Sequence, residues 1–516
     1  LVARPRSHPA YWIAFILLLA LACELRVHSA SNRPLHADEG VQAFTTAKLQ
    51  ESGLYDYTAE DRHGPTLYYF SVWLNKLRGI QPDGLSNFDL RLLPILFSLA
   101  TLFLLGIAFP ANWRATLIAA SIVGVSPLCV IYGAYFVQEA IYVFLATAIL
   151  VLGHRLLLKP TKATSVLLGV SIGLLQATKE TSILIFGAVG ISLFSQWIIK
   201  KKDRENQPSR KAPAWRGNPT YLLVLLPAVL TFILFQSSFF SDFGAIRESV
   251  VAYLNYFERA GGQGHQKPAS YYLSLFFPAP SIGSPIGELP LLVFIAFGSF
   301  WSIWRSIKTS DPTVGFASGI AGLALALMYS LIPYKTPWLM YAPLTLLAIS
   351  AAEGASHKIG MIAKSNVRAV ATMTAILSLV AIELKPTLLA TGRYATDERN
   401  PYIYSHTTGQ YSKLQTRISE LRNIRENLAI AIVSPDNGWP LPWDLRSYKK
   451  VGYWTQMPEP NQSFDLVLID SRIKPSPQHE AALSETHVPD LHGLRPNTLI
   501  TLFIEKELWD NFIAAR

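Results

Sequence analysis

Asp38 and Glu39 stand side by side in His36-Ala37-Asp38-Glu39-Gly40, just beyond the first long apolar segment of the chain. Carboxylates at a membrane edge are suited to taking a proton from an acceptor, orienting charge or binding a cation. An acidic pair there also has a plainer use, capping a helix start by accepting from its free amide groups. The neighbours argue for more than a cap, because His36 and the later Arg62-His63-Gly64-Pro65 belong to the same outer loop, 29–88. Long structured loops are usually functional.

Other ionisable groups fall at the ends of apolar segments, where desolvation is costly and function is the usual reason to keep them. Gln138-Glu139 follows Tyr135-Phe136-Val137, a position equally suited to an interfacial aromatic belt. Lys179-Glu180 forms the tip of a tight helical hairpin, and adjacent charges there point in two directions instead of bridging each other. Tyr334-Lys335 sits between Pro333 and Pro337, which makes Lys335 a rigid cation that either snorkels or holds a lipid phosphate. The loop 239–287 carries Gly261-Gly262-Gln263-Gly264-His265 among tyrosines, the composition of a flap over an outer cavity. Carboxylates able to act as base thus accompany cations able to hold a phosphate. The combination suits group transfer from a lipid phosphate to an acceptor hydroxyl or amine. No P-loop, Gly-x-Ser-x-Gly elbow, His-Glu-x-x-His zinc helix or dinucleotide fingerprint is present, so nucleotide-driven transport and hydrolase chemistry lose support.

The elements that must position these residues are membrane helices. Half of the 516 residues are hydrophobic and 16% are charged, with a mean hydropathy of +0.27; the class is an α-helical polytopic membrane protein. Apolar stretches near 10–28, 92–109, 115–132, 139–157, 163–178, 181–199, 219–238, 288–305, 313–333, 336–352 and 368–386 predict about eleven spans. With the N-terminus (Arg4, Arg6) inside, the even-numbered loops collect Arg114, then Arg155, Lys159 and Lys162, then the run from Lys200 to Arg216, then Arg305 with Lys308, then Lys358 with Lys364 and Arg368. Basic short loops belong on the cytoplasmic side. The N-terminus is therefore expected in the cytoplasm, and the outer loops and the C-terminal part outside the cell (inner) membrane. Topology accounts for the net charge of +10, and nucleic acid is not expected as a partner. Ala20-Leu21-Ala22-Cys23 resembles a lipoprotein processing site, and cleavage there would leave the remaining topology unchanged.

Two expected domains follow: a transmembrane domain, 1–386, and a small soluble extracytoplasmic α/β domain, 387–516. The second rests on a polar helix near 412–427 and strand-like runs Leu428–Val433, Phe464–Ile469 and Thr498–Ile504. Its Trp439, Trp443 and Trp454 could stack on sugar rings but read more readily as core or membrane-facing residues. Cys23 and Cys129, the two cysteines, both lie in apolar segments and indicate neither a disulfide framework nor a Cys-based zinc site.

The ordered series His36-Ala37-Asp38-Glu39, His63-Gly64-Pro65 with Leu67-Tyr68-Tyr69, Tyr135-Phe136-Val137-Gln138-Glu139, Thr178-Lys179-Glu180-Thr181, Pro333-Tyr334-Lys335-Thr336-Pro337-Trp338, Asn400-Pro401-Tyr402 with His406-Thr407, and Trp439-Pro440-Leu441-Pro442-Trp443 resembles the GT-C superfamily of membrane glycosyltransferases. Within it the series is most similar to the flippase-activity-associated family of archaeal N-glycosylation loci and bacterial relatives. The resemblance implies an inverting transfer of a sugar from a polyprenyl-phosphate donor to a protein, glycan or lipid acceptor, with Asp38 as general base. Glu39 and Glu139 would assist as catalytic carboxylates. His36, Arg62, His63, Gln138, Lys179, Glu180, Tyr334, Lys335 and His265 would bind substrate, with Lys335 foremost in neutralising the donor phosphate. A divalent cation is compatible if Asp38, Glu39, Glu139, His36 and His63 meet in space. Two alternatives remain: a flippase or transporter of lipid-linked sugars without transferase chemistry, and an assembly protein acting through its C-terminal domain. Transport favours ionisable groups at mid-membrane depth, and the apolar stretches are nearly free of them.

Overall fold

The computed structural model describes residues 9–59, 63–206, 221–260, 266–277, 283–362, 364–459 and 462–516. Arg62, His265, the Gly261–Gly264 run and the basic stretch beyond Asn206 lie outside the described residues.

Helix α1 (Pro9–Ser31) leads into an outer loop that folds into α2 (Ala37–Ser52), α3 (Thr66–Leu77) and a 3-10 turn at Pro82–Gly84. There follow α4 (Asn87–Ala108), α5 (Trp113–Val125), α6 (Pro127–Tyr132), α7 (Glu139–Leu158), α8 (Lys162–Gln176), α9 (Ser182–Asn206) and α10 (Leu222–Gln236). Two outer helices, α11 (Gly244–Ala260) and α12 (Tyr271–Phe276), precede α13 (Leu289–Thr309), α14 (Val314–Leu331), α15 (Tyr341–Gly360) and α16 (Ser365–Thr391). Among the described residues seven helices, α1, α4, α7, α9, α13, α14 and α16, are long and apolar enough to cross a membrane, and α5, α8 and α10 are shorter apolar helices. Each apolar stretch of the sequence falls on one of these ten or on α15, except 115–132, which is shared between α5 and α6. Large side chains such as Ile16 and Leu17 on α1, Leu226 on α10 and Phe297 on α13 remain exposed, as lipid-facing residues must.

The apolar run 115–132 is not one helix. Ser126 is extended and Pro127 starts α6, because proline lacks the amide that would continue α5 and disfavours helix in the residue before it. Helix α5 is buried from Ala115 to Val125, the position expected of a helix that is apolar all round.

Close helix pairing rests on small residues. Gly169 and Gly173, one turn apart on α8, lie directly against the Val224 and Ala228 carbonyls of α10, and a Cβ on Gly173 would also stand 2.8 Å from Thr231 Cβ. Gly173→Val is expected to lower stability by about 1–3 kcal/mol, since the backbones must separate to admit the side chain. Thermal unfolding in detergent, compared with Gly190→Val on α9, where nothing lies within 4 Å of the added Cβ, checks this.

The C-terminal part contains α17 (Gly409–Ile424), β1 (Ala429–Val433), α18 (Leu441–Asp444), β2 (Lys450–Trp454), β3 (Leu466–Asp470), α19 (Pro477–Thr486), β4 (His487–Arg495), β5 (Thr498–Glu505) and α20 (Lys506–Ala514). The sheet order is β2-β1-β3-β5-β4. β1 pairs parallel with β2 and β3, while β5 runs antiparallel to β3 and β4. The predicted strand runs become β1, β3 and β5; β2 and β4, the edge strands, were not anticipated. Trp443 is buried, with Nε1 donating to Asn87 Oδ1 at 3.2 Å, and Arg446 Nη2 donates to the Leu85 carbonyl at 2.6 Å. These contacts seat α18 against the outer loop.

Candidate active site

The start of α2 shows why Asp38 and Glu39 differ. His36 is the N-cap: its Nδ1 accepts from the Asp38 amide at 3.0 Å, while its own amide donates to Glu39 Oε2 at 3.0 Å. The capping role therefore falls to His36 and Glu39. Glu39 is wholly buried. Arg33 Nη1 donates to Oε2 at 2.6 Å, Arg91 Nε to Oε1 at 2.9 Å and Arg91 Nη2 to Oε2 at 2.8 Å, and the Phe136 amide adds a bond to Oε1 at 2.9 Å. Burial pushes this carboxyl up, but the two guanidiniums and their hydrogen bonds outweigh it and hold it well below the ordinary carboxylate range. The sequence had pointed to neither Arg33 nor Arg91. A signal for Arg91 was available, an arginine in the first turns of an otherwise apolar helix.

Asp38 points the other way. Its side chain is 52% exposed, and among the described residues its nearest charged neighbour is His36 Nδ1 at 3.8 Å. That contact is not an ion pair. Nδ1 already accepts from an amide and Nε2 donates to the Tyr404 carbonyl at 2.9 Å, which assigns a neutral ring with its proton on Nε2. Aromatic residues surround this edge: the His36 ring meets Trp338 at 6.0 Å and Tyr135 at 6.1 Å, and Trp338 meets Tyr404 at 6.2 Å. Burial, with Tyr334 and Asp38 close by, pushes the Tyr404 phenol up to about 12, so it stays neutral beside the carboxylate.

The other predicted acids are engaged. Glu139, at the start of α7, accepts from Lys179 Nζ at 2.5 Å in a buried pair. The neighbouring Glu180, also buried, takes different partners, accepting from His63 Nδ1 at 2.9 Å and from the Tyr57 hydroxyl at 3.3 Å. Burial raises Glu180, and His63 and its hydrogen bond more than offset it, leaving the carboxyl below its ordinary value. Lys179 and Glu180 thus face opposite sides of one turn. Gln138 is the N-cap residue of α7 without a side-chain cap bond, and its buried Nε2 has no partner among the described residues. Lys335 is 1% exposed and donates to the Lys267 carbonyl at 3.1 Å and to that of Ile332, with no carboxylate among these partners. Burial pushes its ammonium down. Tyr334 bridges to Gln266 through the backbone, tying the two outer segments together.

A small cavity of about 10 Å³, room for about one water, lies between Glu139, Tyr142, Lys179, Thr181, Tyr329 and Trp338. Trp338 therefore borders both this cavity and the His36 edge. The five groups considered as metal ligands do not converge: Glu39, Glu139 and His63 are held by other side chains and His36 by backbone. Among the described residues no group of three or more His, Cys, Asp or Glu side chains could hold a metal ion. Asp38 is the predicted carboxylate that remains open.

The C-terminal part completes the site. Besides the His36–Tyr404 bond, Thr407 Oγ1 donates to the Leu35 carbonyl at 2.6 Å. Gly40, one residue past Glu39, faces Pro440 and Trp439 so closely that an added Cβ would stand 2.9 Å from Pro440 Cβ. Gly40→Ala is expected to cost about 1–3 kcal/mol by forcing α2 and the 439–440 segment apart. A lowered Tm together with faster proteolysis near residue 440 would record it.

ArnT from Cupriavidus metallidurans, in the apo state, superposes over 96% of this chain and 98% of its own, with a TM-score of 0.62 at 15% identity. The same protein bound to undecaprenyl phosphate gives 0.61 at 14% identity, over the same shares. The archaeal oligosaccharyltransferase AglB from Archaeoglobus fulgidus, in complex with an inhibitory peptide and a dolichol-phosphate, gives 0.54 at 13% identity over 98% of this chain and 77% of its own. The chain has the GT-C fold. No protein-family model matches the sequence, and no curated protein matches it. The likeness covers 96% of the chain, and so takes in both the helical bundle and the C-terminal part.

Proposed function

We propose that the protein is an integral-membrane glycosyltransferase that moves a sugar from a polyprenyl-phosphate donor to an acceptor on the extracytoplasmic face, with Asp38 as the general base. The observation that carries this reading is the division of labour among the carboxylates. Glu39, Glu139 and Glu180 are buried and paired, and Asp38 alone of the four is open and uncommitted at a cleft edge. Support for the donor class comes from proteins of the same fold whose structures hold undecaprenyl phosphate or a dolichol-phosphate.

In the proposed reaction an acceptor oxygen or nitrogen attacks the anomeric carbon while Asp38 takes its proton. The anomeric carbon–oxygen bond to phosphate breaks on the opposite face, giving an inverted glycoside and free polyprenyl phosphate. Glu39 contacts neither substrate; clamped by Arg33 and Arg91, it fixes the turn that aims Asp38. Lys335, whose partners are neutral carbonyls, has charge to spare for the departing phosphate. Lys179 is neutralised by Glu139, and the same pairing restrains Glu139 from acting as a base. His63, about a third exposed, offers the ring edge not turned to Glu180 for a phosphate or sugar hydroxyl.

The basic short loops support a cytoplasmic N-terminus, which puts Asp38 and the part beyond 386 outside. The ordered motif series is the basis for placing the chain beside the flippase-activity-associated family. Purified protein in lipid, given labelled polyprenyl-phosphate sugars and a panel of acceptors, should transfer label only when donor and acceptor are both present. Donor binding and translocation without transfer would replace this reading with that of a lipid-linked sugar flippase.

A further inference from the structure

A second group of acids lies behind the Asp38 edge and takes no part in the proposed chemistry. Glu288, the residue that precedes α13, and Glu383 on α16 are both fully buried and within hydrogen-bonding reach of each other. Ser126 Oγ donates to Glu288 Oε2 at 2.9 Å. The buried Tyr402 side chain lies against the same carboxyl. Among the described residues no hydrogen bond is made at Glu288 Oε1, at either oxygen of Glu383 or at the Tyr402 hydroxyl, a donor placed to serve Glu288 that leaves Glu383 without one.

The titratable and polar groups around the pair come from several elements. From α1, Arg26 is fully buried, but its guanidinium bonds Ser98 Oγ at 2.7 Å and the carbonyls of Ala22, Gly124 and Val123, all neutral acceptors. From α6, Cys129 is near enough to feel Arg26 and both acids. From α15, Tyr341 lies near Arg26 and shares Ser98 Oγ at 2.9 Å. From α12, the Phe276 carbonyl accepts the Glu288 amide at 2.7 Å. On α16, Lys385 is exposed and turned elsewhere. Two ionised carboxylates side by side out of water repel each other with no cation bonded to either, whereas one retained proton removes a charge and supplies a donor between them.

We propose that Glu288 and Glu383 hold one proton between them and form a buried proton-binding site that fastens residues 400–407 onto the bundle. Tyr402 covers the pair, and its carbonyl accepts from the Tyr132 hydroxyl. Asn400 Nδ2 anchors the segment to the Ala390 carbonyl at 2.9 Å. The same segment then supplies the Tyr404 carbonyl to His36 and the Thr407 hydroxyl to Leu35, so the proton secures the turn that carries Asp38. The proton site stands without the transferase reading; only its effect on catalysis rests on it.

Hydrogen exchange of the 400–407 amides in the full chain, reconstituted in lipid, tests this as a function of pH. A lifted segment hydrates the pair and lets it release its proton. The opening equilibrium, corrected for intrinsic exchange, should therefore rise about tenfold per pH unit above the ordinary carboxylate range. Glu383→Gln keeps a donor without a titrating proton and should flatten that slope. A flat wild-type profile, or the same slope in the variant, would overturn the proposal. So would a wild-type profile that moves when sodium or calcium is added at fixed pH, because a cation would then be the occupant. Should Glu383→Gln fail to fold, the infrared band of a protonated carboxyl in the wild type at neutral pH decides: its presence supports the shared proton and its absence refutes it.

Discussion

Asp38→Asn is expected to lower sugar transfer by about 10²–10⁴-fold, the usual worth of a general base, while leaving the protein as stable as the wild type. The fold should survive because the carboxylate is 52% exposed and accepts no hydrogen bond among the described residues. The helix start does not depend on it, since the cap is made by His36 and Glu39. Asparagine matches the shape and removes only the ability to accept a proton as an anion. Initial rates at saturating donor, alongside thermal melts of both proteins, separate the two effects. Unchanged transfer with unchanged stability would remove Asp38 from the mechanism. The contrast with its neighbour is the informative part, because one residue's displacement along α2 turns an open carboxylate into a sealed one.

Glu39→Gln should do the reverse and strike stability first. Arg33 and Arg91, 5% and 0% exposed, both direct guanidinium donors at this carboxylate. Removing its charge strands two buried cations, and breaking a buried pair in this way costs about 3–5 kcal/mol. The loss reaches the site as well, since Glu39 Oε1 also holds the Phe136 amide and so ties α2 to the loop before α7. A large fall in Tm, with transfer reduced only in proportion to the folded fraction, would mark Glu39 as a positioning residue. A wild-type Tm with lost transfer would instead return it to the chemistry. Arg91→Met combined with Glu39→Gln should recover part of the stability by removing one stranded cation together with the charge it was paired to.

The aromatic edge gives the site a character the carboxylates alone do not. His36, Tyr135, Trp338 and Tyr404 make a wall beside Asp38, and the guanidinium carbon of Arg33 stacks 3.5 Å from the Tyr135 ring centre. Trp439, considered from the sequence as a stacking residue, instead packs edge-on to Phe44 at 5.9 Å, and Trp443 is core.

The membrane helices were legible in the sequence because apolar length is a local quantity that the bilayer reads directly. Three of the five strands were legible for a similar reason, as short apolar runs. The edge strands escaped notice: β2 has no fully buried position, and β4 has only two, so neither carries a hydrophobic pattern of its own. The break of 115–132 at Pro127 was written in the residues and needed only the rule that proline starts helices more readily than it continues them. The sequence singled out Asp38, Glu39, His63, Glu139, Lys179, Glu180 and Lys335 by their cost near lipid, but passed over Arg33 and Arg91. It could not say which of them were spent on one another. Glu39 meets Arg91 across 52 positions, Glu139 meets Lys179 across 40, and His63 meets Glu180 across 117. Whether a carboxylate is free to accept a proton depends on charges a few ångströms away in space, and only the packed bundle with the C-terminal segment folded over it sets those distances.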